Sequence, residues 1–190
     1  FDIITNIDYW VVEAAFKTLQ QSPSFLSSIT FVSINLSGPS LAAKDFHIFV
    51  ENKLAHYQIP PHKICFEITE TAAITNLHNA KQFIRQMKRL GCQFALDDFG
   101  SGLSSFGYLK QLPVEYLKMD GMFVKDIESD PIDLAMVESI NQIGHVMGMK
   151  TIAEFVENEE IKTILTELGV DYAQGYGIGK PILFEHLIKK

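Results

Sequence analysis

The stretch Ala95–Ser105, ALDDFGSGLSS, decides how the rest of the chain is interpreted. Just before it, the residues from Cys92 are apolar apart from Gln93, which predicts a buried strand that ends where Asp97 and Asp98 begin. The two adjacent carboxylates are therefore expected at one edge of a sheet. The next residues combine flexible glycines with hydroxyl side chains, a composition typical of a mobile loop that closes over a polar or anionic ligand. They are Gly100, Ser101, Gly102, Ser104 and Ser105. The sequence contains neither a GxGxxG fingerprint nor a lysine at P-loop spacing.

Length and composition favour a single domain spanning residues 1–190, since 47% of the 190 residues are hydrophobic. The net charge of −7 argues against a broad basic groove for duplex nucleic acid. Cys65 and Cys92 each lie in an apolar run without CxxC spacing, which indicates reduced core cysteines and a reducing compartment. No apolar run reaches the roughly 20 residues of a membrane span. We therefore expect a cytoplasmic segment without membrane contact, although a membrane anchor elsewhere in the full-length protein is compatible with this.

Strand-like and helix-like segments alternate along the chain. The helical spacing of Ile7–Leu19 predicts a first helix, with Asn6 or Asp8 capping its start. Further helices are expected before Pro60, up to Gly91, after Asp130-Pro131 and after Asn158. Six strands are expected between them: Thr30–Asn35, Lys63–Ile68, Cys92–Leu96, Pro113–Met119, Lys150–Val156 and Tyr172–Ile178. This alternation predicts the α/β class, with a largely parallel sheet and helices outside it.

Polar side chains occur toward the carboxyl ends of these strands. The carboxyl ends of parallel strands share one edge, where active sites lie in β/α barrels and open α/β sheets. The residues expected there are Asn35, Glu67, Asp97, Asp98, Lys118, Glu154 and Gln174.

This set predicts a metal site. Clustered carboxylates repel one another unless a cation compensates, and oxygen ligands without His or Cys favour a hard ion such as Mg²⁺ or Mn²⁺. Two such ions activate a water and stabilise the leaving oxygen in phosphodiester hydrolysis, and Lys118 would add positive charge. Each residue alone also has a structural interpretation: helix capping for the Asp97-Asp98 and Glu67/Glu70 pairs, a solvated lysine at Lys118, a helix-dipole charge at Glu157 and a surface amide at Gln174.

Six motifs in order along the chain resemble the EAL domain, the cyclic di-GMP phosphodiesterase module of bacterial signalling proteins. They are INLS (Ile34–Ser37), FEITET (Phe66–Thr71), LDDFGSGLSS (Leu96–Ser105), LPVEYLKMD (Leu112–Asp120), TIAEFVE (Thr151–Glu157) and AQGYGIGKP (Ala173–Pro181).

The resemblance implies a modified TIM barrel that hydrolyses cyclic di-GMP to linear pGpG with Mg²⁺ or Mn²⁺. By motif, Asn35, Glu67 and Asp97 resemble ligands of a first metal, and Asp98 resembles a ligand of a second. Lys118 and Glu154 resemble the groups that position or activate the water. Glu70 and Glu157 resemble supports of the loop Phe99–Ser105, which contains Ser101, and Gln174 resembles an amide that lines the site.

Two departures from the family pattern affect these expectations. Phe155 stands where the commonest form of the motif has glycine, so its side chain must point away from the substrate or narrow the site. The Glu-Ala-Leu motif, whose glutamate is a metal ligand in the family, has no counterpart in the sequence. We therefore expect a barrel incomplete at its N-terminus and little or no activity from the 190-residue chain itself.

Two other functions remain open at this point: a non-catalytic cyclic di-GMP receptor, and a barrel enzyme acting on another phosphorylated substrate. Other signalling domains are expected in the full-length protein. Unpaired backbone groups along Thr30–Asn35 would also allow a homodimer through strand pairing.

Overall fold

The computed structural model describes residues 2–101 and 107–187. The strands are β1 (Val32–Leu36), β2 (Ile64–Thr69), β3 (Gln93–Phe99), β4 (Tyr116–Met119), β5 (Lys150–Ala153) and β6 (Tyr172–Ala173). The α-helices of the described residues are α1 (Asp2–Gln20), α2 (Pro23–Ser28), α3 (Gly38–Ala42), α4 (Phe46–Tyr57), α5 (Glu70–Thr75), α6 (Leu77–Leu90), α7 (Gly121–Val124), α8 (Pro131–Val146), α9 (Glu159–Glu167) and α10 (Phe184–Leu187). Short 3-10 helices occur at Pro61–Lys63 and Leu109–Gln111.

The strands form a six-stranded sheet in chain order, β1-β2-β3-β4-β5-β6. The pairs β1–β2, β4–β5 and β5–β6 are parallel. Helices connect the two strands of each of these three pairs, as parallel pairing requires. The predicted α/β class and the six predicted strands are both confirmed.

One compact unit contains the chain up to Ala95 together with Gln111–Pro113. Its core is built around an aromatic cluster in which Phe83 contacts Phe46, Phe66 and Phe94 with ring centroids 5.8, 6.2 and 6.0 Å away. These rings are almost completely buried. Full burial of such side chains contributes about 1.5–3 kcal/mol each, so this cluster is a major source of the unit's stability.

The second unit contains Leu96–Lys110 and the chain from Val114 onward. A partly buried polar network joins the beginning of β5 to α8 and to the turn before β6. The Thr151 hydroxyl lies 2.5 Å from Asn141 Oδ1 and the Thr151 amide donates to Asp171 Oδ2 at 2.9 Å. The Asn141 amide group donates to the Leu168 carbonyl at 2.8 Å. Satisfied buried polar groups of this kind fix the relative position of the elements they join.

Several predicted helix boundaries are confirmed. Gly91 follows α6 with φ of 107°, a left-handed conformation that glycine adopts without strain. The Asp130 and Asn158 side chains accept hydrogen bonds from the first turns of α8 and α9. The predicted start of the first helix is wrong, because α1 begins at Asp2 and Asp8 lies inside it.

Each predicted strand differs from the observed one at one end or both, and three of these differences concern the candidate site. β3 continues through Asp97 and Asp98 to Phe99, so both carboxylates belong to the strand itself. β5 ends at Ala153, which places Glu154 directly after the strand. β6 has only 2 residues, because the glycine-rich sequence after Ala173 leaves regular strand geometry.

Both cysteines are buried and outside any disulfide, as predicted. Burial raises the pKa of the Cys92 thiol to about 12, so this thiol stays protonated at neutral pH. In the described part of the chain, no helix combines the length and hydrophobicity needed to cross a bilayer.

Candidate active site

Asp97 and Asp98 are brought together by an irregularity in β3. Successive side chains of a regular strand point to opposite faces, which would separate two adjacent carboxylates. Asp98 instead has φ of 54°, in the left-handed region. Oxygens of Asp97, Asp98 and Glu154 all lie within 4.8 Å of one another. The left-handed residue therefore allows neighbouring carboxylates to face the same point.

Lys118, from β4, lies between two of these carboxylates. Its Nζ atom is 2.8 Å from Asp97 Oδ1 and 2.8 Å from Glu154 Oε1. Only 3% of the Lys118 side chain is exposed, and the two carboxylates are 12% and 13% exposed. The interpretation of Lys118 as a solvated lysine is therefore wrong, because its side chain is buried. An ammonium group this deeply buried is stable only with opposite charges around it.

The pKa values of two carboxyl groups in this cluster, Asp98 and Glu154, are shifted upward. Burial raises the pKa of Asp98, and the negative charges of Asp97 and Asp120 raise it further, against the opposing effect of Lys118. Burial likewise raises the pKa of Glu154, although the hydrogen bond and charge of Lys118 act in the other direction. One ammonium group therefore compensates the clustered acids incompletely, and additional positive charge would be stabilised here.

The donor set fits a hard divalent cation. Asp97 Oδ1 is buried and lies 2.8 Å from Lys118 Nζ, and no other donor of the described residues bonds to it. The oxygen keeps an unused lone pair beside the carboxylates of Asp98 and Glu154. Three carboxylates without nitrogen or sulfur ligands match the preference of Mg²⁺ or Mn²⁺ for oxygen.

A pocket of about 290 Å³ adjoins Glu154, lined also by Phe155, Glu157, Gln174, Gly175 and Tyr176. Backbone hydrogen bonds continue past the ends of β5 and β6. The backbone N–H of Gln174 donates to the Ala153 carbonyl at 2.8 Å, and the backbone N–H of Val156 donates to the Gln174 carbonyl at 3.0 Å. A Cβ atom on Gly175 would lie 2.3 Å from the Val156 backbone. Glycine is therefore required for the two segments to approach this closely and hold Gln174 beside Glu154.

Phe155 lines the pocket in a strained conformation. Its φ of 54° lies in the left-handed region, and 58% of the residue is exposed. A Cβ atom on Gly121 would lie 2.0 Å from the Phe155 ring, so the ring packs directly on this glycine. Phe155 therefore narrows the pocket beside Glu154.

Asn35 and Glu67 lie in the first unit and are register partners in β1 and β2. Directly paired residues of adjacent strands point to the same face, so these two side chains are neighbours. Glu67 is 6% exposed, and Glu70 is 1% exposed at the first position of α5. The N-cap of α5 is Thr69, whose side chain accepts a hydrogen bond from the Ala72 amide. Capping of this helix is therefore provided by Thr69 and does not account for Glu67 and Glu70.

The remaining predicted residues occupy the borders of the site. Ser101 is exposed, and its hydroxyl donates to the Asp98 carbonyl at 2.8 Å. Glu157 is exposed, next to the Asn158 cap of α9. Most of the predicted mobile loop, including Gly102, Ser104 and Ser105, lies outside the described residues.

Sequence reasoning assigned no role to Asp120 or Tyr176. Asp120 follows β4, its side chain caps α7 through the Met122 amide at 2.8 Å, and its charge raises the pKa of Asp98. Its position two residues after Lys118 at a strand end is the signal that could have identified it. Tyr176 lines the pocket with 63% of the residue exposed.

Residues 1–181 match the family model described as the EAL domain, and the chain belongs to this family. It is 47% identical over 181 residues to the cyclic di-GMP phosphodiesterase PdeB of Shewanella oneidensis, covering 95% of this chain and 21% of that protein. It is 39% identical to the cyclic di-GMP phosphodiesterase PdeF of Escherichia coli, covering 95% of this chain and 24% of that protein. The chain thus spans about a fifth to a quarter of these relatives.

Solved structures of phosphodiesterase and EAL domains have the same fold as this chain. The PaMucR phosphodiesterase in complex with c-di-GMP superposes with a TM-score of 0.91 at 31% identity, covering 98% of this chain and 75% of that one. The EAL domain of Mycobacterium smegmatis DcpA gives a TM-score of 0.92 at 29% identity, covering 98% and 84%. These matches confirm the predicted fold class, α/β of the modified TIM barrel type.

Proposed function

We propose that the chain is the catalytic portion of a cyclic di-GMP phosphodiesterase that hydrolyses its substrate to linear pGpG. The observation that carries this proposal is the buried Lys118 between Asp97 and Glu154, with Asp98 beside them. A binding protein has no need for a buried lysine bridging two acids next to a third. The curated relatives named as cyclic di-GMP phosphodiesterases support the choice of substrate.

Asp97, Asp98 and Glu154 would hold Mg²⁺ or Mn²⁺, and Asn35 and Glu67 are proposed as further ligands. A bound ion of this kind supplies Lewis-acid activation of water and neutralises charge on the phosphate. Glu154 would accept a hydrogen bond from the attacking water, and the Lys118 ammonium group would donate one to orient it. The oxygen–phosphorus bond forms as the bond to the ribose 3′ oxygen breaks, and the water's proton passes through the site to that oxygen. The product carries a 5′ phosphate and a free 3′ hydroxyl.

The pocket beside Glu154 suits one guanine base of the substrate. Exposed aromatic faces at Phe155 and Tyr176 can stack on a base, and the Gln174 side chain offers both a hydrogen-bond donor and an acceptor. The volume of about 290 Å³ is at the lower end of the range typical of ligand pockets.

The test is incubation of cyclic di-GMP and Mn²⁺ with this chain and with a longer polypeptide that begins upstream of Phe1. We expect pGpG from the longer polypeptide, little from the 190-residue chain, and none from Lys118→Met in either. The matched control is Lys162→Met, since Lys162 pairs with Glu159 on the exposed surface of α9. Binding of cyclic di-GMP without pGpG would favour the receptor function, and hydrolysis of other phosphodiesters alone would favour a different substrate.

A further inference from the structure

Asp8 is a buried carboxylate that the proposed reaction does not use. It lies in the second turn of α1 and is 6% exposed. Its Oδ2 atom accepts hydrogen bonds from the Ser37 amide at 2.9 Å, the Ser37 hydroxyl at 2.6 Å and the Ser40 hydroxyl at 2.6 Å. In the parts of the chain that the structure describes, this carboxylate has no cationic partner within ion-pair distance. Burial of a carboxyl group is costly unless hydrogen bonds compensate it, and these three hydrogen bonds supply that compensation.

The three donors all belong to the segment that follows β1. Ser37 is the N-cap of α3, but its own side chain makes no capping hydrogen bond. The carboxylate of Asp8 instead binds the amide and hydroxyl of this N-cap residue from a different helix. The hydrogen bonds therefore tie the end of β1 and the start of α3 to α1.

The end of β1 carries Asn35, two residues before Ser37. Asn35 is exposed, whereas its strand neighbours Ile34 and Leu36 are buried. A shift of one residue in the register of a strand moves each side chain to the opposite face. An anchor at Ser37 prevents such a shift at the carboxyl end of this strand, and it keeps Asn35 beside its register partner Glu67.

We propose that Asp8 is a positioning residue: through its hydrogen bonds to Ser37 it holds Asn35 in the orientation needed to bind a divalent cation. This inference rests on the proposed function, because that function makes Asn35 a metal ligand. Residues that orient metal ligands typically change metal affinity by about 10–100-fold when they are replaced.

The experiment measures Mn²⁺ binding by calorimetry and by electron paramagnetic resonance in wild type, Asp8→Asn, Asn35→Ala and the double variant. Asp8→Asn keeps the size of the side chain and can keep an oxygen at the position of Oδ2, but it removes the charge that strengthens the three hydrogen bonds. We expect Mn²⁺ binding to weaken about tenfold in Asp8→Asn, with no further loss when this change is added to Asn35→Ala. Hydrogen exchange at the Ser37 amide should become faster in Asp8→Asn.

The matched control is Glu13→Gln on the same helix, which removes the Glu13 charge that pairs with Lys53 and leaves the Ser37 contacts intact. It should lower thermal stability without changing Mn²⁺ affinity. Should Asp8→Asn fail to fold, Ser37→Ala takes its place, because it removes the hydroxyl bond and retains the amide bond. A smaller loss of Mn²⁺ affinity is then expected.

Unchanged Mn²⁺ affinity in Asp8→Asn despite faster exchange at Ser37 would overturn the proposal and leave Asp8 with a purely structural role. Independent, additive effects of Asp8→Asn and Asn35→Ala would also overturn it. Metal binding without hydrolysis in the longer polypeptide would overturn only the proposed function. Wild-type protein that binds no Mn²⁺ would overturn both.

Discussion

Replacing Lys118 by methionine should destabilise the metal-free protein strongly. Two carboxylate oxygens lie 2.8 Å from Lys118 Nζ, and at an effective dielectric constant of ~20 each contact is worth roughly 6 kcal/mol before desolvation. Desolvation offsets much of this attraction in the wild type. Removal of the lysine nevertheless leaves Asp97 and Glu154 buried without their cation, a change that typically costs about 3–5 kcal/mol. Methionine keeps the length of the side chain, so the loss reflects charge rather than a cavity.

Urea unfolding at pH 7 measures this loss, and its dependence on pH gives a second check. Burial already raises the pKa of Glu154, and without Lys118 this pKa must rise further. An acid with a raised folded-state pKa destabilises the fold as pH increases through that pKa, so the deficit of Lys118→Met should shrink on acidification toward pH ~4. Mn²⁺ should restore part of the lost stability at pH 7, because it supplies positive charge to the same carboxylates.

The control for this experiment is Lys162→Met. Lys162 lies 3.0 Å from Glu159, but its side chain is 47% exposed, and exposed pairs contribute only about 0–1 kcal/mol. A loss below about 1 kcal/mol for Lys118→Met, independent of pH, would refute the reasoning, since the buried lysine would then not be compensating the two acids.

Three further changes test other features of the second unit. Asp98→Asn should raise metal-free stability at pH 7 by no more than about 1 kcal/mol, because burial raises the pKa of Asp98 and its ionised form opposes folding, while solvent screens the partly exposed charge. Thermal unfolding should show that gain disappearing below pH ~4, and a gain that persists there would contradict this cause. Phe155→Gly should be about 1–2 kcal/mol more stable than Phe155→Ala, since only glycine accepts the φ of 54° without strain, and equal urea midpoints would exclude strain at this position. Burial raises the pKa of Asp171, but hydrogen bonds from the Thr151 amide and from His145 lower it by a larger amount. The pKa of Asp171 is therefore below its usual value. Asp171→Asn should therefore cost about 1 kcal/mol at pH 7, and the difference from wild type should vanish as pH falls through the depressed pKa, below pH ~4; a difference that is constant with pH would argue against an ionised Asp171.

Much of the fold follows from local sequence signals. Gly91 ends α6, Asp130 caps α8 and Asn158 caps α9, each as predicted. These signals work because a helix end is decided by groups within a few residues of it. The length of strands was less predictable: β3 includes Asp97 and Asp98, although carboxylates are poor strand formers, because hydrogen bonds to neighbouring strands outweigh local preference.

The amino-acid sequence by itself determined the α/β class and the order of the elements, and it supplied the candidate site residues. Hydrophobic periodicity, helix caps and polar residues at strand ends are all local properties. Only the tertiary structure decided that Lys118 is buried between Asp97 and Glu154, that Asp98 is left-handed, and that Asp8 binds Ser37 instead of capping its own helix. Contacts of this kind join residues far apart in the chain. Their geometry and burial depend on how strands and helices pack, which no local pattern specifies.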